Sequence, residues 1–439
     1  MILLLAGMAA AMPAFTDLGF VATAPASGPF AGGVNAPTVA WDGTQYVAYF
    51  ESPALAADVP SDCANAYRIG RATSLDGLTW SFDAEPVLSP DRADSTSVYS
   101  CSVAQPAVVF DGATWHLFFA MGDQKLDSSS TTNVAAGIGY ATSTDGVTFE
   151  VKEAPSGLGD FDDATDWHAP EAGGSHRLTL GMPTATLVNR TLRVAYTSTA
   201  DGVAALQLHT ARYDLDTSTW SLWDGDLAPA FTGTDWAPNG VFSPAIYCDA
   251  DAEQLGLLVG GYTDASFVGR AIGFGTSPDL VTWSVGAGSA DGIFASLNHV
   301  EVLPAGDDLL VFYSATDPST GLKAIGLATT SSGWGTPDGR VCAWEEAVED
   351  TGDTGDTGDT GDTGEDTGAD TGEDTAVDTD TADTGETGDT SGNDDTAWDT
   401  GEDDPGKGCA CDATGAPGGA VGGLFAALTS LALVRRRRG

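Results

Sequence analysis

Five stretches of the chain share one alternation of apolar and polar positions. Each starts at a proline or a substitute, alternates through β-branched residues, turns at Gly/Asp, and resumes in an aromatic-rich run. They are APTVAWDGTQYVAYFES (36–52), QPAVVFDGATWHLFFAMGD (105–123), MPTATLVNRTLRVAYTSTAD (182–201), SPAIYCDADAEQLGLLVGGYTD (243–264) and HVEVLPAGDDLLVFYSATD (299–317). Alternation at period two buries one face of a strand, and Asp-Gly at 42–43 and 111–112 between such runs is a hairpin signal. A second unit follows each first one: IGRATSLDGLTWS (69–81), IGYATSTDGVTFE (138–150), LHTARYDLDTSTWS (208–221), IGFGTSPDLVTWS (272–284) and IGLATTSSGWGTP (326–337). Here a strand of small and apolar residues leads into a Ser/Asp/Gly turn, and an aromatic then opens another strand. Each pair of units therefore predicts four strands.

Counted between Pro37, Pro106, Pro183, Pro244 and His299, the units are 55 to 77 residues long. Five four-stranded units at this spacing predict an all-β chain, a five-bladed β-propeller over residues 15–344. No segment longer than a turn has helical periodicity. A pair of β-sandwiches, the alternative, does not predict five copies of both units. FTDLGFVAT (15–23) is expected to pair with the last blade and close the ring. Trp80, Phe149, Trp220 and Trp283 recur at one position per blade, which marks them as core between blades.

The pattern stops at both ends. Residues 1–14, MILLLAGMAAAMPA, are apolar and rich in alanine, too short for a membrane span, with the make-up of a secretory signal peptide. No Lys or Arg precedes that run. Residues 345–407 are a Thr/Gly/Asp repeat with 24 acidic and no basic residues between 345 and 404. So few apolar groups cannot offset the entropy of ordering, so a disordered, self-repelling spacer is expected, reaching at most ~200 Å. In residues 408–439, Cys409-Ala410-Cys411 precedes a Gly/Ala/Leu stretch of transmembrane length and then Arg435 to Arg438. Arginines resist translocation, which leaves the preceding chain outside. The order of cysteine motif, short apolar helix and arginine cluster resembles the myxobacterial-type C-terminal sorting signal (MYXO-CTERM). That resemblance implies sorting through Cys409 and Cys411 to the cell surface, with a membrane or lipid anchor.

Charge narrows the partners. The chain carries a formal net charge of −46, and residues before the spacer hold 38 acidic and 12 basic side chains. No basic stripe exists for nucleic acid. Cys63, Cys101, Cys248 and Cys342 in an exported domain allow three disulfide connectivities, and Cys63 with Cys101 is the expected pair because both flank the first blade.

In a propeller the residues entering each innermost strand form one mouth of the central channel. Here these are Asn35 and Ala36, Gln105 and Ala107, Gly181 and Met182, Phe242 and Ser243, and Asn298, His299 and Glu301. Loops ahead of blades three and four hold GDFDDATDWHAPEAGG (159–174) and TDWAPNGVF (234–242), whose Asp166, His168, Glu171 and Asp235 sit among aromatics as in a sugar site. The paired units resemble the five-bladed glycoside hydrolases of the arabinanase, xylosidase and levansucrase group, closest to glycoside hydrolase family 43. The resemblance implies inverting hydrolysis by an Asp base, a Glu acid and a second Asp that tunes the acid. The matching positions hold Ala36, Gly181 and Ala107, whereas the family's channel histidine is matched at Asn298-His299. Three functions stay open, two of them directed at extracellular polysaccharide. One is hydrolysis using Asp166, Glu171 and Asp235. The other is binding without cleavage through Asn35, Gln105, Ser243, Asn298, His299 and Glu301. A structural or adhesive surface module is a third. His299 and Glu301 alternate and so face one side, as a substrate or metal contact, and a Ca2+ in the channel is the cofactor this allows.

Overall fold

The computed structural model describes residues 12–61, 63, 66–93, 99–122, 135–152, 181–198, 207–222, 231, 234–249, 252–265, 269–278, 282–286, 288–289, 297–331, 333–337 and 341–342. Most of the leader, the acidic spacer, the tail with Cys409 and Cys411, and the loop with Asp166, His168 and Glu171 lie outside the described residues. Among the described residues no helix is long and apolar enough to cross a membrane.

The chain is all-β and propeller-like. Strand β1 (Thr16–Ala22) comes first, and β2 (Asn35–Trp41), β3 (Tyr46–Pro53), β4 (Tyr67–Ser74) and β5 (Ser81–Phe82) then form an antiparallel meander. The same order recurs in β6 (Ser102–Phe110), β7 (Trp115–Gly122), β8 (Ala135–Ser143) and β9 (Glu150–Val151), and in β10 (Gly181–Val188), β11 (Thr191–Ser198), β12 (Gln207–Asp214) and β13 (Thr219–Leu222). It recurs again in β14 (Val241–Asp249), β15 (Gln254–Tyr262), β16 (Arg270–Ser277) and β17 (Ser284–Val285). The last meander has three strands of its own, β18 (His299–Ala305), β19 (Asp308–Thr316) and β20 (Lys323–Thr329), and β1 supplies the outer one by pairing with β20. The expected closure by residues 15–23 is therefore present. First strands β2, β6, β10, β14 and β18 pack side by side, and β18 returns to β2.

Apolar clusters fill the space between neighbouring meanders. Val39, Tyr46 and Phe50 meet Leu303, Phe312 and Leu327, while Ala107 and Phe118 meet Leu187 and Tyr196, all buried. Burying such side chains contributes roughly 1.5–3 kcal/mol each. The recurring outer aromatics join in: Trp80 stands 6.0 Å from Phe312 and Phe149 stands 5.6 Å from Tyr49, both ring to ring across meanders. Trp283 packs instead on Phe231 of the segment ahead of β14, with ring centroids 5.7 Å apart, while the side chain of Trp220 lies outside the described residues.

The repeated Ile-Gly has a steric cause. Phe50 pairs with Gly70, Phe119 with Gly139 and Tyr313 with Gly326, and in each pair the ring lies across the glycine. A Cβ on Gly70 would stand 2.5 Å from the Phe50 ring, and one on Gly139 would overlap Phe119. The Ser-x-Asp-Gly turns are equally alike. Asp76 Oδ1 accepts the N–H groups of Leu78 and Thr79 at 2.8 and 2.7 Å, and Asp145 Oδ1 accepts those of Val147 and Thr148 at the same distances. These donors hold both carboxyls below the usual range.

Two disulfides, Cys63–Cys101 and Cys248–Cys342, have Cα separations of 5.7 and 5.8 Å. The second fixes β21 (Val341–Cys342), which runs parallel to the last residues of β10, Leu187 and Val188.

Gly139→Ala is expected to destabilise the domain by about 1–3 kcal/mol through overpacking against Phe119, and Asp145→Ala by about 1 kcal/mol through loss of the turn bonds. Urea unfolding of each variant checks both values.

Candidate functional site

One cavity opens where the first strands meet. Its wall is Ala36-Pro37, Gln105-Pro106, Met182-Pro183, Ser243-Pro244 and His299-Val300-Glu301, one segment from each first strand, and it leaves about 10 Å³, the room of a single water. The residue before each proline has positive φ: Ala36 at 46°, Gln105 at 49°, Met182 at 54° and Ser243 at 46°. Each also lies at a break in strand register, a bulge that turns the backbone N–H sideways. Non-glycine residues in this region cost of order 1–3 kcal/mol each and persist only where their surroundings fix them.

What fixes them is the neighbouring strand. Gln105 donates its N–H to Glu51 Oε2 at 2.9 Å, and Met182 donates to Gln105 Oε1 at 2.8 Å. Ser243 donates to Met182 Sδ at 3.1 Å, and Val300 donates to Ser243 Oγ at 3.0 Å. Gln105, Met182 and Ser243 thus each cap the strand that follows with their own side chain. Ala36 has no acceptor to offer, so Glu51 from β3 takes its place, held by Asn35 Nδ2 at 2.5 Å. Burial pushes the Glu51 carboxyl up, against the lowering effect of these bonds and of Lys323. A deeper level repeats the device, with Thr38 Oγ1 accepting from Val108 and Thr184 Oγ1 from Ile246, both at 3.0 Å.

The expected binding residues separate accordingly. Gln105, Ser243, His299 and Glu301 share the cavity wall. The acceptors of Gln105 and Ser243 are already used within the wall, and Asn35 is buried on Glu51. Ala107 is a correction: it is fully buried between the second and third meanders, because the bulge at Gln105 turns it away from the cavity. Gly181 is held small, since a Cβ there would stand 2.5 Å from Gln105 Oε1. Asp235 is exposed on the turn before β14 and is absent from the cavity wall, while its neighbour Trp236 packs against Gly261, Gly273 and Gly288 of the fourth meander. Asp166 and Glu171 lie outside the described residues.

Two cations escape a reading of the sequence alone. Arg270, at the start of β16, donates to Leu297 O and to Asn298 Oδ1, and its guanidinium lies 5.3 Å from the Phe242 ring centroid. Lys323, at the start of β20, carries the carbonyl that accepts Val34 N–H at 3.0 Å. Burial beside Arg270 pushes the Lys323 ammonium down to about 8. His299 is half-open to the cavity by surface area but enclosed by protein on its other sides. That enclosure, with the charges of Arg270 and Lys323, pushes its imidazole down to about 3, so it is neutral near pH 7.

A central Ca2+ does not fit these groups. Calcium takes six to eight oxygen ligands, whereas the described residues of the cavity wall offer one carboxylate, Glu301, beside His299. Among the described residues no three His, Cys, Asp or Glu side chains gather closely enough for a metal.

No protein-family model and no curated protein matches the chain. Solved structures do match its fold. One described as "Glycoside hydrolase" is 15% identical, covering 73% of this chain and 93% of its own, with a TM-score of 0.52. BT0996, in a complex with RGII, is 16% identical over 74% and 95%, with a TM-score of 0.52. Zg3597, a family 117 glycoside hydrolase of the marine bacterium Zobellia galactanivorans, is 12% identical over 72% and 90%, with a TM-score of 0.51.

A histidine kept neutral in the fold lets the unfolded chain bind more protons between about pH 6.5 and 3, so stability falls as pH falls through that window. His299→Gln is expected to flatten this part of the stability-versus-pH curve, measured by denaturant midpoints at several pH values. Lys323 protonated at pH 7 costs desolvation, so Lys323→Met is expected to stabilise the fold by less than about 1 kcal/mol after solvent screening, read from the same midpoints.

Proposed function

We propose that residues 15–344 form a five-bladed propeller, exported and held at the cell surface, that binds extracellular polysaccharide at this mouth without hydrolysing it. The observation that carries the reading is the wall itself, where the described residues supply small side chains, prolines, an amide, a hydroxyl and a neutral histidine, with Glu301 as the one carboxyl group among them. Inverting hydrolysis needs an acid and a base roughly 6.5–9.5 Å apart. Where the family 43 resemblance expects the base stands Ala36, and where it expects the acid stands Gly181, with Gln105 filling the space beside it. Such a wall keeps apolar surface and the neutral His299 towards a sugar, and among the described residues it sets no carboxyl pair across the mouth to serve as acid and base.

The likeness in fold to glycoside hydrolases supports a saccharide as the ligand. The leader, the acidic spacer and the Cys409–Cys411, apolar and arginine tail support export and surface retention. Hydrolysis is the second reading, favoured by the same likeness, and it requires carboxylates from the loop with Asp166 and Glu171 to reach the mouth.

Purified 15–344 is tested on insoluble arabinan and xylan in parallel for retention and for new reducing ends. Retention with no reducing ends is the expected outcome. Release of reducing sugar overturns the binding-only reading in favour of hydrolysis, and neither retention nor release overturns both.

A further inference from the structure

The domain is strongly acidic, yet two of its few cations open strands at the end of the sheets where the cavity lies. Three other described cations sit on carboxylates: Arg71 on Asp83 at 2.9 Å, Lys152 on Glu150 at 2.6 Å and Arg190 on Asp216 at 2.6 Å. Arg270 is bound instead to a carbonyl and an amide, which orient its guanidinium, and among the described residues no ion pair sets a carboxylate on it. Among the described residues no hydrogen bond or ion pair engages the Lys323 ammonium.

The strands explain why these groups converge. Arg270 and Lys323 each open the third strand of their meander, and His299 and Asn298 lie where the first strand of the fifth meander begins. All four therefore lie at the end of the sheets where the cavity opens. The charged groups that act on Lys323 are Arg270, which disfavours its ammonium, and Glu51 from β3, which favours it, and Lys323 in turn disfavours the charged form of His299. Glu51 is itself occupied by Asn35 and by the Gln105 N–H. Two cations at one end of adjacent meanders, each half-buried, are disfavoured by desolvation, and an anion between them would offset that cost. A charge-assisted hydrogen bond from a guanidinium or ammonium to a carboxylate is about twice as strong as a neutral one.

We propose that Arg270 and Lys323 form an anion-recognising subsite at the mouth, which selects glycans carrying a carboxylate, as in a uronic acid residue. This rests on the reading of the mouth as a glycan site. The acidic surface around it repels long polyanions over a Debye length of about 8–10 Å, so the fitting ligand is an isolated uronate within a mainly neutral saccharide.

The test measures affinity of the full chain for a xylo-oligosaccharide bearing one glucuronate branch and for the same compound after its carboxyl is reduced to the alcohol. Arabinan and xylan retention is recorded alongside, and melting curves verify folding of every variant. Expected is about tenfold tighter binding of the uronate form, lost in Lys323→Gln and in Arg270→Gln and retained in Arg190→Gln, a cation on a distant turn. Equal affinity for the two compounds, or a preference that survives both substitutions, overturns the subsite while leaving glycan binding intact. No affinity for either compound, with arabinan and xylan still retained, also overturns the subsite alone. If nothing is retained, the glycan reading falls with it.

Discussion

The fold depends on a sideways hydrogen bond. A sheet satisfies its backbone along each meander, but nothing in that ladder holds one meander to the next. Here the bulges that open β6, β10 and β14 turn an N–H out of its own sheet and give it to a side chain of the meander before, Gln105 to Glu51, Met182 to Gln105 and Ser243 to Met182, and the regular strand β18 does the same from Val300 to Ser243. The positive φ at four consecutive positions is the strain that this arrangement holds in place. Apolar clusters between meanders supply most of the free energy, but they are not directional, and it is these bonds that set the angle between neighbours.

The same constraint explains the chemistry of the mouth. A residue that must accept its neighbour's N–H is not free to act on a ligand, so the innermost circle of Gln105, Met182 and Ser243 works as frame. In the reading proposed above the groups that meet a ligand belong to the next circle out, where strands begin and side chains are relieved of that duty. His299 belongs to the one first strand that keeps regular register with its partner, and it faces the cavity without a positive φ. Arg270 and Lys323 start third strands, one circle further out again.

What can be read from the residues follows the same division. Alternation, Asp-Gly turns and the Ile-Gly units are local signals, and they locate the strands, the closing role of residues 15–23 and the Cys63–Cys101 pair. The glycine in Ile-Gly has a cross-strand cause, Phe50 on Gly70 and Phe119 on Gly139, that becomes visible only once register is known. Ala107 is misplaced by the pattern because a bulge shifts facing by one residue, and no composition signal marks a bulge at Gln105. Glu51 standing in for the side chain that Ala36 lacks is a substitution in space, 15 positions away in sequence. Arg270 and Lys323 sit in ordinary strand openings and gain meaning only from each other, across 53 residues.

β21 also has a mechanical consequence. It runs parallel to β10 and pairs with Leu187 and Val188, at the far end of that strand from Gly181 and the cavity. The backbone at Cys342 therefore points away from the mouth, and a pull along it loads two backbone pairings lengthwise. Two such pairings would yield to modest tension. The Cys248–Cys342 bond carries the load past them into β14, the first strand of the fourth meander, where force spreads through a whole sheet. Traction on this end of the chain is thus borne by a covalent link on the side opposite the cavity, and the wall of Gln105, Met182 and Ser243 stays outside the line of force.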